Sequence, residues 1–352
     1  MDVQIMLPRI ALTLGDVAGI GPEVVVRAWR DPALLSRCRP VCIGHPAVVR
    51  RAAELVGFDI PVRPIGNLDD AALDDPGMIP CWNPAGEDAA LVPGGSNDRR
   101  AGQAAYDYLI AATQATLAGQ LDAIVTAPIS KAALHLAGLN YPGHTEILAE
   151  ACGVSDFAMM LYLAGISGGE AGLHNLGVVH ATLHTSIRSV PGLLNSDLVF
   201  TKTRLIDRFL KRVGCRAPRI AVCALNPHAG EEGLFGTEEI TTIGPAVARA
   251  RREGIAATGP LPADTAFKRA IAGEFDGVVA MYHDQGHIAI KLVGQNRAVN
   301  VTVGLPIVRT SPSHGTAFDI AWQGVACADG MIEAIHLAAL LVSHKATKQE
   351  AV

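Results

Sequence analysis

Short apolar runs recur along this 352-residue chain, each followed by a turn cluster and then a helical pattern. The runs are Ile10–Leu14, Val41–Ile43, Ala123–Val125, Gly177–Leu183, Arg219–Leu225, Gly277–Tyr282 and Val299–Val303. Strands that are apolar throughout bury both faces, and strands separated by helices are joined by crossovers. The pattern therefore predicts a mostly parallel sheet covered on both sides. The expected fold class is α/β. With 49% apolar and 18% charged residues the chain can bury a sizeable core, and its length allows two domains.

Helix ends are readable. Pro22 suits the first position of a helix running to about Trp29, with Glu23 at the positive end of its dipole. Ser130 suits the cap of a helix over Lys131–Leu136, with Gly138 as its stop. Asp329–Leu341 reads as a final amphipathic helix, and 67–99, rich in Pro, Gly and Asp, as surface connection with some short strand. There is no internal repeat and no low-complexity segment.

A net charge of −5 and a pI near 6.2 leave no basic footprint for nucleic acid. No run approaches the ~18 apolar residues needed to span a bilayer. The seven cysteines are odd in number and form no CxxC pair, which favours reduced thiols in the cytoplasm. The amino terminus does not read as a signal peptide.

Three histidines share one situation. His184, His228 and His283 each stand at or just beyond the end of an apolar run. In open α/β sheets ligands gather outside the carboxyl ends of the strands, so three such imidazoles can converge on a divalent cation and leave positions open for substrate oxygens. Each one alone is more often a hydrogen-bonded strand cap, and it is the shared position of three that brings the metal reading level with it. His180 shares the face of His184 by two-residue alternation and reads as core or as support for a ligand, and His287 and His314 are weaker candidates. Lys291, Asn300 and Arg309 follow His283, and the Arg309 guanidinium can grip a carboxylate or phosphate with two hydrogen bonds, although each also reads as scattered surface charge. Pro142–Glu146 reads as a turn placing His144 and Thr145 at a helix start, where anions are favoured. Neither GxGxxG nor GxxxxGK[ST] occurs, so no standard nucleotide fingerprint is present.

The strings LTLGDVAGIGPE, TAPISK, PGHTE, LNPHAGEEGLFGTEE, GPLPADT, MYHDQGH and VNVTVGLPIVRTSPSHGTAFDIA resemble, in consistent order from about Ile10 to Leu340, the 4-hydroxythreonine-4-phosphate dehydrogenase family of vitamin B6 synthesis. The resemblance implies that His184, His228 and His283 bind a divalent metal, commonly zinc, with magnesium, manganese or cobalt as alternatives. It places His144, Thr145, Lys291, Asn300 and Arg309 at substrate contacts. It also implies a homodimer whose subunits both contribute metal ligands. His314–Ala321 is similar to the adenine-side loop of isocitrate and isopropylmalate dehydrogenases, which assigns His314, Gly315, Thr316, Asp319 and Ile320 to the cofactor. NADP-dependent relatives carry Lys-Tyr where this chain has Asp319-Ile320. A carboxylate there accepts from a ribose diol and repels a 2′-phosphate, so NAD is expected.

Two α/β/α domains with an intervening cleft follow from that likeness, with expected limits of 1–130 plus 299–352 for the cofactor side and 131–298 for the metal, substrate and dimer side. The implied reaction is metal-assisted, NAD-dependent oxidation of 4-phosphohydroxy-L-threonine with decarboxylation to 3-amino-2-oxopropyl phosphate. Asp284 is assigned to proton transfer or to support of the metal site, and Asp264, in LPADT, to acid/base work or a loop hydrogen bond. Family branches act instead on 4-phospho-D-threonate, 4-phospho-D-erythronate or aromatic dicarboxylate cis-dihydrodiols. Leu163–Gly177 is longer and richer in glycine than expected, and Ser311-Pro312-Ser313 and Gln295–Ala298 also depart from the family pattern. A metal-dependent hydrolase or lyase and a non-catalytic metal-binding protein are the readings from other classes.

Overall fold

The computed structural model describes residues 7–168, 172–294 and 296–349. Among them run twelve strands: β1 (Arg9–Thr13), β2 (Arg39–Ile43), β3 (Val62–Ile65), β4 (Ile79–Trp82), β5 (Ala123–Thr126), β6 (Ala158–Ser167), β7 (Leu173–His180), β8 (Arg219–Cys223), β9 (Ala256–Leu261), β10 (Gly277–Ala280), β11 (Val299–Val303) and β12 (Val308–Pro312). The chain divides into a first unit of Met1–Ser155 with Leu305–Val352 and a second of Asp156–Gly304.

In the first unit the strand order is β3-β4-β2-β1-β5-β12, and every pairing is parallel. The residues of β5 are all buried, as are all but the first of β1 and β2, which is why these runs lack alternation. The predicted first helix spans Gly21–Trp29 with Pro22 near its start, and Ser130 Oγ accepts from Ala133 N at 3.2 Å to cap Lys131–Leu136.

The second unit is ordered β11-β6-β7-β10-β8-β9, with β6 antiparallel to both neighbours and the other pairings parallel. The Leu163–Gly177 stretch forms the far part of the β6–β7 hairpin, where Ile166 pairs with His174 and Ser167 with Leu173; residues 169–171 of that stretch, and Gln295, lie outside the described residues. Behind the sheet, Leu161, Val178, Ala221, Phe267, Phe275, Val278 and Ile290 pack as one core.

This division corrects the expected limits. Residues 131–155 belong to the first unit, because Leu134, Ile147 and Leu148 pack with Leu109 of the helix Arg99–Leu117. Residues 299–304 belong to the second, because β11 pairs with β6 from Val299 through Val303.

Candidate active site at the carboxyl ends of the strands

Three adjacent parallel strands of the second unit, β7, β10 and β8, deliver their carboxyl ends side by side. Hydrogen bonds stitch those ends together. Ala181 N donates to Ala280 O at 2.8 Å, and Thr182 donates to Met281 O from both its N–H (3.1 Å) and its hydroxyl (2.8 Å). Gln285 spans the next gap, its Oε1 accepting from Met281 N at 2.7 Å and its Nε2 donating to Ala224 O at 2.8 Å. Sequence reading passed over Thr182 and Gln285, since nothing local marks a side chain that satisfies the backbone of another strand.

The break at His-Asp-Gln-Gly-His is the start of a helix, His283–Gly294. Four-residue spacing puts His283, His287 and Lys291 on one face of it. The rings of His283 and His287 stack at 3.8 Å and 11°, and His184 approaches His283 at 5.9 Å between ring centroids. Buried His180 closes β7 and meets His287, with Nε2 of the former 3.1 Å from Nδ1 of the latter. His184 lies beyond the strand, so it does not share the face of His180 by alternation as expected. Burial, reinforced by the neighbouring imidazoles, pushes His180 down to about 3; burial, with His283 and Lys291 adding, pushes His287 down to about 4.

A cavity of about 460 Å³ opens here, lined in part by His184, Thr185, Ser186, Tyr282, His283 and Asp284. Asp284 Oδ1 lies 2.6 Å from His283 Nδ1, so a proton held there leaves the Nε2 lone pair for a ligand. With nitrogen about 2.0–2.1 Å from a zinc ion and the ring centre about 1 Å further out, two imidazoles on one tetrahedral ion have centroids roughly 5–6 Å apart. His184 and His283 fit two such corners. His283 and His287, parallel and in contact, do not. Among the described residues no group of three or more His, Cys, Asp or Glu side chains stands where it could hold one metal ion.

His228 does not line that cavity. It begins a left-handed run: His228, Ala229, Gly230, Glu231 and Glu232 have φ of 52°, 56°, 79°, 44° and 57°. Four of these five are not glycine, a costly arrangement that surrounding contacts must hold. Buried Glu239 holds the segment that leads into it, accepting from Leu225 N and Asn226 N, both at 2.8 Å, and from Asn226 Nδ2 at 3.0 Å. A side chain at position 230 would meet Glu239 Oε2 at 2.7 Å, which requires Gly230. Asp264 is exposed in the first turn of the helix Ala263–Ile271 and also stands outside the cavity. Asn300, on β11 beside Leu161 of β6, has a buried Oδ1 with no hydrogen-bond partner.

The first unit holds the other assigned residues. His144 and Thr145 open the helix His144–Cys152, as the PGHTE turn predicts. Arg309 on β12 is 2% exposed and donates to Thr126 Oγ1 from Nη2 at 2.6 Å and Nε at 3.2 Å. Burial, and then the Arg309 charge, hold His144 well below its ordinary range. The glycine-containing loop 15–21 closes against the 314–320 loop: Ile20 N donates to Thr316 O at 3.0 Å, and a side chain at Gly19 would meet that oxygen at 2.9 Å. Glu23, expected only to complement a helix dipole, is fully buried and accepts from the backbone of Trp322 and, at 2.9 Å, of Gly324. The polar groups a cofactor could use are present. His314 Nε2 is buried with no partner, and Asp319 is exposed.

The relatives of a chain built this way at more than 40% identity are named dehydrogenases. It is 44% identical over 330 residues to the D-threonate 4-phosphate dehydrogenase of Pectobacterium atrosepticum, covering 94% of this chain and 98% of that one. It is 43% identical over 332 residues to the 4-hydroxythreonine-4-phosphate dehydrogenase of Geobacter metallireducens, covering 94% and 95%. The crystal structure of 4-hydroxythreonine-4-phosphate dehydrogenase from Klebsiella pneumoniae matches with a TM-score of 0.84 at 43% identity, over 96% of this chain and 99% of that one. The chain belongs to the family of the pyridoxal phosphate biosynthetic protein PdxA, whose model matches residues 36–338.

Proposed function

We propose that this protein oxidises 4-phosphohydroxy-L-threonine (4-hydroxythreonine 4-phosphate), with NAD as hydride acceptor and a divalent cation at the imidazole site, and decarboxylates the product to 3-amino-2-oxopropyl phosphate. The observation that carries this is near-full-length identity of 43% to a relative bearing the name of that reaction. A second reading, D-threonate 4-phosphate, is favoured by the 44% relative that carries its name. The two substrates differ at C2, where one bears an ammonium and the other a hydroxyl.

In this reading His184 and His283 hold the cation, and His228 completes the set from a second copy of the chain. Zinc suits an all-imidazole set best. When bound, the cation would supply a Lewis acid for the hydroxyl oxygen of the alcohol being oxidised and for the charge that develops as carbon dioxide leaves. Arg309, with His144 and Thr145 of the same unit, takes an anionic group of the substrate, and buried Arg309 does so in a setting where charge-assisted hydrogen bonds are strong. Asp284 keeps the His283 Nδ1 proton in place. Asp319 accepts from the ribose hydroxyls of NAD, and His314, Gly315, Thr316 and Ile320 line its adenine side. A second copy also accounts for apolar side chains exposed on the second unit: Ile187 (68%), Leu234 (73%), Ile288 (59%) and Leu292 (78%). The seven unpaired cysteines suit a reducing cytoplasm, and no helix among the described residues is long and apolar enough to cross a membrane.

The test is NADH formation by the purified protein with 4-phosphohydroxy-L-threonine, D-threonate 4-phosphate, D-erythronate 4-phosphate and an aromatic cis-dihydrodiol, each with and without chelator. Chelator-sensitive reduction with the first is expected, and faster turnover of the second transfers the assignment to it. Substrate loss without nucleotide would identify a hydrolase or lyase instead.

A further inference from the structure

The reading of His283 as a cation ligand leaves one requirement unmet. Its hydrogen-bond partner Asp284 is an exposed carboxylate on the adjacent residue, so that bond alone lets the ring and the carboxylate turn together about their side-chain torsions. A ligand whose lone pair must point at a fixed ion needs its plane fixed as well. His287 lies one turn further along the same helix, parallel to His283 and in contact with it.

That second ring is itself held. His287 is 8% exposed and bonds to His180, which is 1% exposed and closes β7. The two rings lie 4.6 Å apart between centroids. Helix and strand reach this distance because position 286 is glycine: a side chain there would meet His180 Nε2 at 2.5 Å and Val178 Cγ1 at 2.9 Å. The series Gly286, His180, His287 and His283 therefore runs from a packed strand to the cavity wall without a flexible member.

We propose that His287, anchored by His180, is a positioning residue that sets the plane of the His283 imidazole and so its readiness to bind a divalent cation. This rests on the ligand role of His283. A role confined to core packing would leave cation binding unmoved once the protein is folded, so the two accounts separate.

The experiment measures zinc affinity by chelator competition and the visible spectrum of the cobalt(II) form for the full-length protein, with folding checked by circular dichroism. His287→Leu removes both the ring and the hydrogen bond to His180. It is expected to weaken zinc binding about 10- to 100-fold and to shift the cobalt bands. His287→Phe keeps a ring against His283 without the hydrogen bond to His180 and is expected to recover part of that loss. A folding defect in either variant leaves the other to decide. Wild-type affinity and spectrum in the folded variants overturn the positioning role alone. A wild-type protein that binds no divalent cation overturns the ligand reading and this inference with it.

Discussion

Glu239 grips Asn226 at two points, one carboxylate oxygen on its backbone N–H and the other on its side-chain amide. Burial raises the Glu239 pKa, but the hydrogen bonds from Asn226 and Leu225 outweigh it and hold the group below its ordinary value. A carboxyl depressed by folding stabilises the native state above its unfolded pKa, and the contribution fades as pH falls through the folded one. Glu239→Gln is expected to cost about 1–3 kcal/mol near pH 7. The gap to wild type should narrow below the ordinary carboxylate range. Urea unfolding at several pH values measures both, and coincident curves at pH 7 would rule the grip out as a stabilising element.

The left-handed run beyond it carries the opposite expectation. Ala229 pays a steric cost at φ 56° that glycine avoids. Ala229→Gly should leave stability unchanged or raise it by up to about 1 kcal/mol, because relief of strain competes with the greater freedom of glycine in the unfolded chain. A loss of more than that, seen in the melting temperature, would mean the backbone there is not left-handed in solution.

Gly286→Ala tests the approach of helix to strand. The new methyl would fall inside the contact distance of His180 and Val178, and overpacking of this kind costs about 1–3 kcal/mol. Thermal unfolding should show the loss, and an alanine variant as stable as wild type would contradict the packing described.

Arg309 offers a fork of donors that lysine cannot reproduce. Under the proposed function, Arg309→Lys should lower kcat/KM for the phosphorylated substrate by about 100-fold, in line with the loss of a strong charge-assisted pair. Steady-state kinetics with NAD saturating would show it, and an unchanged ratio would remove Arg309 from substrate binding.

Asp319 governs the choice between nicotinamide cofactors in the same reading. Replacing its carboxylate in Asp319→Lys should weaken NAD binding and improve NADP binding through attraction to the 2′-phosphate. Binding titrations of both nucleotides give the answer, and an unaltered preference would place the ribose elsewhere.

The α/β class, the first helix and its proline, the Ser130 cap and the helix start at His144 were all legible, because each depends on local pattern. Of the three histidines expected to gather, His184 and His283 follow strands of one parallel set and lie near each other, while His228 stands outside their cavity. The strands β3, β6, β9 and β12 were not read, β3 because Arg63 and Pro64 fill half of its four positions. Gly165 interrupts β6, β9 contains Gly259 and Pro260, and β12 is a polar run made buried by its neighbours. Gln285, Thr182, Glu23 and Glu239 went unseen for a different reason. Each satisfies backbone groups of another segment, and that partnership exists only once the chain is folded. The unit limits were misplaced because residues 131–155 look like a fresh start in sequence, yet bury their apolar side chains against an earlier helix.

The helix Gly286 belongs to works as a ruler. His283, His287 and Lys291 are marks on one edge of it. One residue inserted between the first and last mark turns everything beyond it by about 100° and carries Lys291 off that edge. Single-residue length changes should therefore be far less tolerable in 283–291 than in the connecting loops.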